Sequence, residues 1–343
     1  MKAIRFHQHG GPEVLKYEDA PEPKIGERDV LLHVKAASIN HIDMWLRRGM
    51  RSVKIPLPHI PGSDASGVIE DVGSEVKDLK KGQRVLVNPG FFCGRCEFCY
   101  EGSGSLCVEY DIMGEGGDGS DAEFVKVPCK NIIPIPDNMT FEEAAAVPLV
   151  FLTAWRMLVT KAKVKASDDV LILGAGAGVG TACIQIAKLF GARVFVTASS
   201  EAKLEKAKEL GADILINYVK EDFSKRVREL TNKRGVDVVV DYIGKDTWQK
   251  SLHSLRKGGR LVTCGATTGY DPQEDVRYIF FRQLEILGST MGSAKEMADV
   301  LKCVFAGKLK PVIYRVMPLK DTAEAHKLIE GRVPFGKIVL RVS

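Results

Sequence analysis

The 343-residue chain contains no run of about 20 apolar residues, so no segment reads as a membrane span. Its start, Met1-Lys2-Ala3-Ile4, lacks a secretory apolar stretch, which makes the cytoplasm the expected compartment. It has no block of like charge. The 49 Lys and Arg and 44 Asp and Glu are interspersed, and a net charge of +5 is small for this length. A nucleic-acid-binding arm is therefore not expected. Internal repeats and low-complexity segments are also missing. In a reducing compartment disulfides are rare, so clustered cysteines read first as metal ligands.

What remains is ordinary globular composition, 45% apolar and 27% charged, in a chain longer than one core usually serves. Two domains are expected. The first part is β-rich: Ala3–Phe6, Val30–Lys35, Gly67–Gly73 and Lys81–Val87 are short strands broken by Gly and Pro, the rhythm of a barrel. From Asp169 strands and helices alternate. Strands are predicted at Val170–Leu173, Arg193–Thr197, Asp213–Ile216, Val236–Val240, Arg260–Cys264 and Leu284–Leu287. Helices are predicted at Val179–Phe190, Glu201–Leu210 and Phe223–Leu230. Such alternation means a parallel sheet covered on both faces. After Met291 come a helix (Lys295–Phe305), a strand (Val312–Val316), a helix (Lys320–Ile329) and a last strand (Lys337–Val342).

Cys93, Cys96, Cys99 and Cys107 are spaced C-x2-C-x2-C-x7-C, with Gly94, Gly102 and Gly104 permitting a tight backbone. Four thiolates close a tetrahedral shell around zinc and leave no position for substrate, so one structural zinc per chain is expected. Iron–sulfur proteins share part of this spacing, but the Cys-Pro that usually follows there is missing. Cys129, Cys183, Cys264 and Cys303 stand singly and read as core residues.

The run Gly174-Ala175-Gly176-Ala177-Gly178-Val179-Gly180 joins a buried strand to a helix. Small residues let the backbone approach a pyrophosphate, and helix N-terminal amides face its charge. Strict G-x-G-x-x-G spacing is not met: read back from Gly180, Ala175 and Ala177 take the first two glycine places. The candidate cofactor residues here are Gly176, Ala177, Gly178 and Val179. An NAD enzyme usually carries an acid at the end of the second strand. This chain has Ser199 and Ser200 there, with Lys203 able to neutralise a 2′-phosphate and Tyr218 able to close the pocket. Glu201 reads as a first-turn helix residue. NADP(H) is favoured over NAD(H).

Together these features resemble the medium-chain dehydrogenase/reductase superfamily. The resemblance runs through Gly11-Pro12-Glu13-Val14-Leu15, Pro61-Gly62-Ser63-Asp64-Ala65-Ser66-Gly67-Val68, the cysteine lobe, Leu152-Thr153-Ala154-Trp155, the glycine loop, Gln185-Ile186-Ala187-Lys188 and Gly211-Ala212-Asp213. It implies an α/β protein. A GroES-like β-barrel catalytic domain would span 1–150, with the zinc lobe at about 90–110. A Rossmann doubly wound parallel-sheet domain would span 151–290, and segment 291–343 would return to the catalytic domain. Where zinc alcohol dehydrogenases place three catalytic ligands, this chain has Asn40, Ser63 and a residue near Leu149, none able to stand in. Asn40 and Gly62-Ser63-Asp64 are instead similar to quinone oxidoreductases and NADPH-dependent C=C reductases. On that resemblance Asn40 orients substrate or nicotinamide, Asp43 holds its loop, Thr153 faces the nicotinamide and Gly265 allows close approach to the ring. Trp45 stands where many quinone reductases carry tyrosine. Water, His41 or the cofactor ribose is left to supply the proton, and His41 and His59 are expected in the cleft or else as surface or structural histidines.

The expected activity is hydride transfer to an activated C=C bond or quinone. Two alternatives stay open: an alcohol dehydrogenase with an atypical metal set drawn from His41, Asp43, His59 and Asp64, and a non-catalytic NADPH-binding protein. The expected partner is a small-molecule substrate, with no nucleic acid and no membrane. The strand Leu284–Leu287 resembles the family's dimer strand and implies a homodimer or homotetramer.

Overall fold

A computed structural model describes residues 1–50 and 53–342. The chain divides into two compact units, each with its own core. Unit 1 comprises Met1–Leu149, Gly292–Leu301 and Lys310–Ser343, and unit 2 comprises Val150–Met291 and Lys302–Leu309. The expected tail 291–343 is thus split, since Lys302–Leu309 groups with unit 2. Its last residue, Ser343, lies outside the described residues.

Unit 1 is built on a seven-stranded sheet, which corresponds to the expected GroES-like part. Its order is Ile313–Pro318, Lys337–Arg341, Asp29–Ser38, Asp64–Val72, Arg84–Val87, Ile132–Pro134, with Phe124–Pro128 also paired to Asp29–Ser38. The long strand Asp29–Ser38 alternates buried and half-buried residues, so Val30, Leu32 and Val34 enter the core. It pairs antiparallel with Lys337–Arg341, which brings the chain's last strand beside the segment that leads into Asn40.

Unit 2 has six parallel strands: β1 (Asp169–Ile172), β2 (Arg193–Ala198), β3 (Ile214–Asn217), β4 (Val236–Val240), β5 (Leu255–Thr263) and β6 (Glu285–Gly288). They lie in the order β3-β2-β1-β4-β5-β6. The chain order reverses beside β1, and in doubly wound sheets such switch points are where ligands bind. β1 and β4 are almost wholly buried because both faces are covered, which is why they read as continuous apolar runs.

The sequence reading differs from the structure mainly in short elements. It did not place the helices His41–Arg48, Phe141–Ala145, Pro148–Trp155, Trp248–Ser254 or Val276–Arg282. Each is eight residues or fewer, too short for a 3.6-residue period to stand out. A π-helical turn, Arg156–Lys161, continues the third of these. β5 begins at Leu255 rather than Arg260, because Lys257-Gly258-Gly259 masks its first half. β6 is shifted by one residue and ends the sheet with three of its four residues exposed.

Candidate functional site

In unit 1 the strand Asp29–Ser38 delivers Asn40 to the start of the helix His41–Arg48, and Asp43 caps that helix by accepting the Asn40 backbone N–H at 2.7 Å. Asn40 is itself buried. Its amide nitrogen donates to Ser63 Oγ (3.0 Å), Asp64 Oδ2 (2.9 Å) and the Ser38 carbonyl (3.3 Å). Ser63 in turn donates to Asp43 Oδ1 at 3.2 Å. Asp64 also accepts the Ser38 hydroxyl at 3.0 Å and the Leu149 backbone N–H at 2.9 Å. The residues at all three places that the resemblance gives to zinc ligands are therefore engaged in one polar cluster.

The cluster also holds a lysine that no motif in the sequence points to. Lys337, from the last strand, donates to the Ile39 carbonyl at 2.8 Å, to Asn40 Oδ1, and to Asp64 Oδ2 at 3.3 Å. No local motif contains it; only the strand pairing of residues 337–341 with 29–38 brings it in. Burial pushes the Asp43 carboxyl up to about 7, partly opposed by the Asn40 N–H.

Asn40 does not present its amide outward, contrary to the expected contact with substrate or nicotinamide, because every donor and its carbonyl oxygen are occupied within the cluster. Asp43 is buried and does hold the loop. His41 and Trp45 are more open, one helical turn apart, with rings 6.3 Å apart edge to face. Surrounding protein and the nearby Lys337 pull His41 down to about 4, so its imidazole is neutral at pH 7 and can donate a hydrogen bond but is a poor acid. His59 is a structural histidine: it is buried, donates to the Gly114 carbonyl at 2.8 Å and packs on Phe6. His41, Asp43, His59 and Asp64 do not form a ligand set among the described residues; the four cysteines are the one group there close enough to grip an ion.

Those cysteines fit a metal well. Their sulfurs all lie within 4.8 Å of one another, with Cys93–Cys107 at 3.4 Å, Cys96–Cys99 at 3.5 Å and Cys93–Cys99 at 3.9 Å. A zinc–sulfur bond of about 2.3 Å in a tetrahedron requires sulfurs about 3.8 Å apart. Backbone N–H groups of Cys93, Gly94, Arg95 and Glu109 point at sulfur, as thiolates require. Gly94 and Gly102 take positive φ at the turns. Of the single cysteines, Cys183 is fully buried and Cys129, Cys264 and Cys303 are half-buried.

In unit 2 the glycine loop leaves β1 with Gly174 in the left-handed region (φ 68°), and the helix Gly178–Leu189 starts after Ala177. Ala177 has no side chain to cap that helix, and Gly176 to Val179 are half-open. The first amides of the helix are thus suited to an anion. Gly180 is required: a methyl there would stand 2.5 Å from the Gly174 carbonyl oxygen. The place of the tight-turn glycine falls on Gly174 rather than Ala175.

At the end of β2, Ser200 caps the helix Glu201–Glu209 by accepting the Lys203 N–H, so its hydroxyl is committed to the backbone. Glu201 is in the first turn, as expected, and accepts from Asn217 and Lys220, each at 2.8 Å. Ser199 is half-exposed and Tyr218 exposed, with the Tyr218 N–H bonded to the Ala198 carbonyl. Thr153 is buried and its hydroxyl turns to the Met291 sulfur at 3.8 Å. Gly265 follows β5, and its carbonyl accepts the Thr263 hydroxyl.

A parallel sheet with a glycine-rich phosphate loop, joined in one chain to a GroES-like unit with a tetrathiolate site, defines an NAD(P)-dependent oxidoreductase. Residues 26–137 match the family described as alcohol dehydrogenase GroES-like domain, and residues 178–306 match zinc-binding dehydrogenase. A zinc-type alcohol dehydrogenase-like protein of Schizosaccharomyces pombe is 33% identical over 99% of both chains. Human quinone oxidoreductase is 30% identical over 99% of this chain and 97% of its own. A crystal structure of an NAD-dependent alcohol dehydrogenase, 49% identical, superposes over the whole of both chains with a TM-score of 0.96. The chain belongs to the zinc-type medium-chain dehydrogenase/reductase superfamily.

Proposed function

We propose that the chain is an NADPH-dependent reductase of activated C=C bonds or quinones that works without a catalytic zinc. One observation carries the reading: at the three places the resemblance gives to catalytic zinc ligands, Asn40, Ser63 and Leu149 are tied to Asp43, Asp64 and Lys337. Burial pulls the Lys337 ammonium below its ordinary range and the Asp64 and Asp43 carboxyls oppose that shift; an ammonium held in that cluster opposes a metal cation there. Oxidation of a plain alcohol needs a Lewis acid for the developing alkoxide. An enone or quinone carries its own oxygen to take the charge, and the protein need only position it and donate hydrogen bonds.

When bound, NADPH supplies the hydride. Gly176 to Val179 hold its pyrophosphate, and Ser199, Lys203 and Tyr218 surround its 2′-phosphate. His41 and the Trp45 indole N–H donate to the substrate oxygen, and solvent supplies the proton, since neither side chain is an effective acid at pH 7. Cys93, Cys96, Cys99 and Cys107 hold one structural zinc. Gly265 and Thr153 flank the nicotinamide. The exposed strand β6 pairs two copies into a dimer or tetramer. The human quinone oxidoreductase supports this activity.

The alternative, alcohol dehydrogenation with NAD, is favoured by the 49% identity to the crystal structure of an NAD-dependent alcohol dehydrogenase. NADPH and NADH oxidation measured against a panel of enones, quinones and aldehydes separates the two. Enone or quinone turnover with NADPH supports the proposal, and aldehyde reduction with NADH alone rejects it.

A further inference from the structure

We propose that Lys337 is a positioning residue: its ammonium fixes Asn40, and through Asn40 the start of the helix that presents His41 and Trp45. The inference rests on the reading of this cluster as a metal-free, substrate-side site.

The geometry leaves Asn40 one orientation. Lys337 has three donors and meets three acceptors, the Ile39 carbonyl, Asn40 Oδ1 and Asp64 Oδ2. With Oδ1 taken by the ammonium, the Asn40 NH2 must face Ser63 and Asp64, and both accept it. A flipped amide would set its NH2 against the ammonium. The Lys337 side chain is only 4% exposed and that of Asp64 is 0% exposed. Charges so placed are costly unless paired, so each holds the other in position. The Ile39 carbonyl and Asn40 immediately precede the helix His41–Arg48, whose first turn carries His41 and whose second carries Trp45. A neutral side chain at 337 would leave Asp64 uncompensated and Asn40 free to turn over, and His41 and Trp45 would lose their fixed base.

The test uses the full-length, zinc-loaded chain with Trp155→Phe and Trp248→Phe, so that Trp45 is the one tryptophan. Into it are placed K337R, K337Q, D64N and the double change K337Q/D64N. Acrylamide quenching reads the exposure of Trp45, and NADPH-dependent reduction of 2-cyclohexen-1-one reads turnover. The expected result is altered quenching in K337Q and a fall in kcat on the order of tenfold to hundredfold, with KM for NADPH changed less than about twofold. K337R restores both. K337Q/D64N regains the melting temperature, because no charge is left unpaired, but regains neither kcat nor the parent quenching. A double variant that recovers all three would mean Lys337 only balances charge, and the proposal would fall. Unchanged quenching and kcat in K337Q would sink it as well. If the parent reduces no enone or quinone, the proposed function fails alone, and the Trp45 quenching series still decides the role of Lys337.

Discussion

The hydroxyl of Tyr242 donates to the carbonyl oxygen of Gly174 at 2.9 Å, and Gly180 lies against both. A Cβ on Gly180 would come within 2.7 Å of that hydroxyl as well as 2.5 Å of the carbonyl. Sheet, phosphate loop and helix thus meet at one point with no room for a methyl group. Gly180→Ala is expected to push the loop off β1 and weaken NADPH binding about tenfold or more by titration. Tyr242→Phe removes only the hydrogen bond and should cost about 1–2 kcal/mol in denaturant unfolding. An alanine variant that binds as tightly as the parent would show that the loop is not the phosphate site.

The zinc lobe makes a separate prediction. Cys96→Ser removes one of four thiolates and should release the ion, measured as loss of bound zinc by elemental analysis. Protease sensitivity should then appear between residues 93 and 107, while nucleotide binding by unit 2 is retained. Zinc retained at one per chain in this variant would place the ion elsewhere.

Cofactor choice can be tested at the end of β2. Lys203→Ala should raise KM for NADPH about tenfold and leave that for NADH within about twofold, because only the former carries a 2′-phosphate. Ser200→Ala is the contrasting variant. Its hydroxyl caps a helix, so the change should lower stability by about 1 kcal/mol without altering selectivity.

Asp43 sets a pH dependence. Its carboxyl is held at about 7 by burial, against an ordinary value of 3.8. Between those limits the unfolded chain loses the proton and the folded chain keeps it. Stability is therefore full below pH 3.8 and declines as pH rises toward 7. Asp43→Asn keeps an amide oxygen that can accept one of the two donors, the Asn40 N–H or the Ser63 hydroxyl, and cannot ionise, so unfolding curves between pH 4 and 7 should be flatter for the variant than for the parent. His326 works the other way. Burial and the neighbouring Arg47 hold it at about 3, so its contribution is present above pH 6.5 and fades as pH falls. Equal slopes in parent and D43N would refute the assignment to Asp43.

Two features are legible from residues alone because they are local: the C-x2-C-x2-C-x7-C spacing, and the alternation of β1 to β4 with the helices between them. Both depend on neighbours within a few residues. The polar cluster was legible only in part. Asn40, Asp43, Ser63 and Asp64 can be named from the sequence, but their engagement with one another cannot, and the resemblance points Asn40 at substrate or nicotinamide. Lys337 was hidden because antiparallel pairing, not spacing, brings it to Asn40. For His59 the cleft and structural readings both stand in the sequence, since its partner is a backbone carbonyl at Gly114, which no side-chain pattern records; the structure selects the structural one. The sequence offers Ser200 as a cofactor group, and the structure makes its hydroxyl oxygen the cap of the following helix; serine serves both roles in the same sequence context.

The proposed function requires that the polar cluster of unit 1 be held by Lys337 rather than by a metal. Zinc per chain, measured by elemental analysis on protein purified with excess zinc and then dialysed, tests this directly. One zinc is expected, lost on mutation of Cys96 and unaffected by mutation of Ser63 or Asp64. Two zinc ions per chain, one of them lost with Asp64, would contradict it.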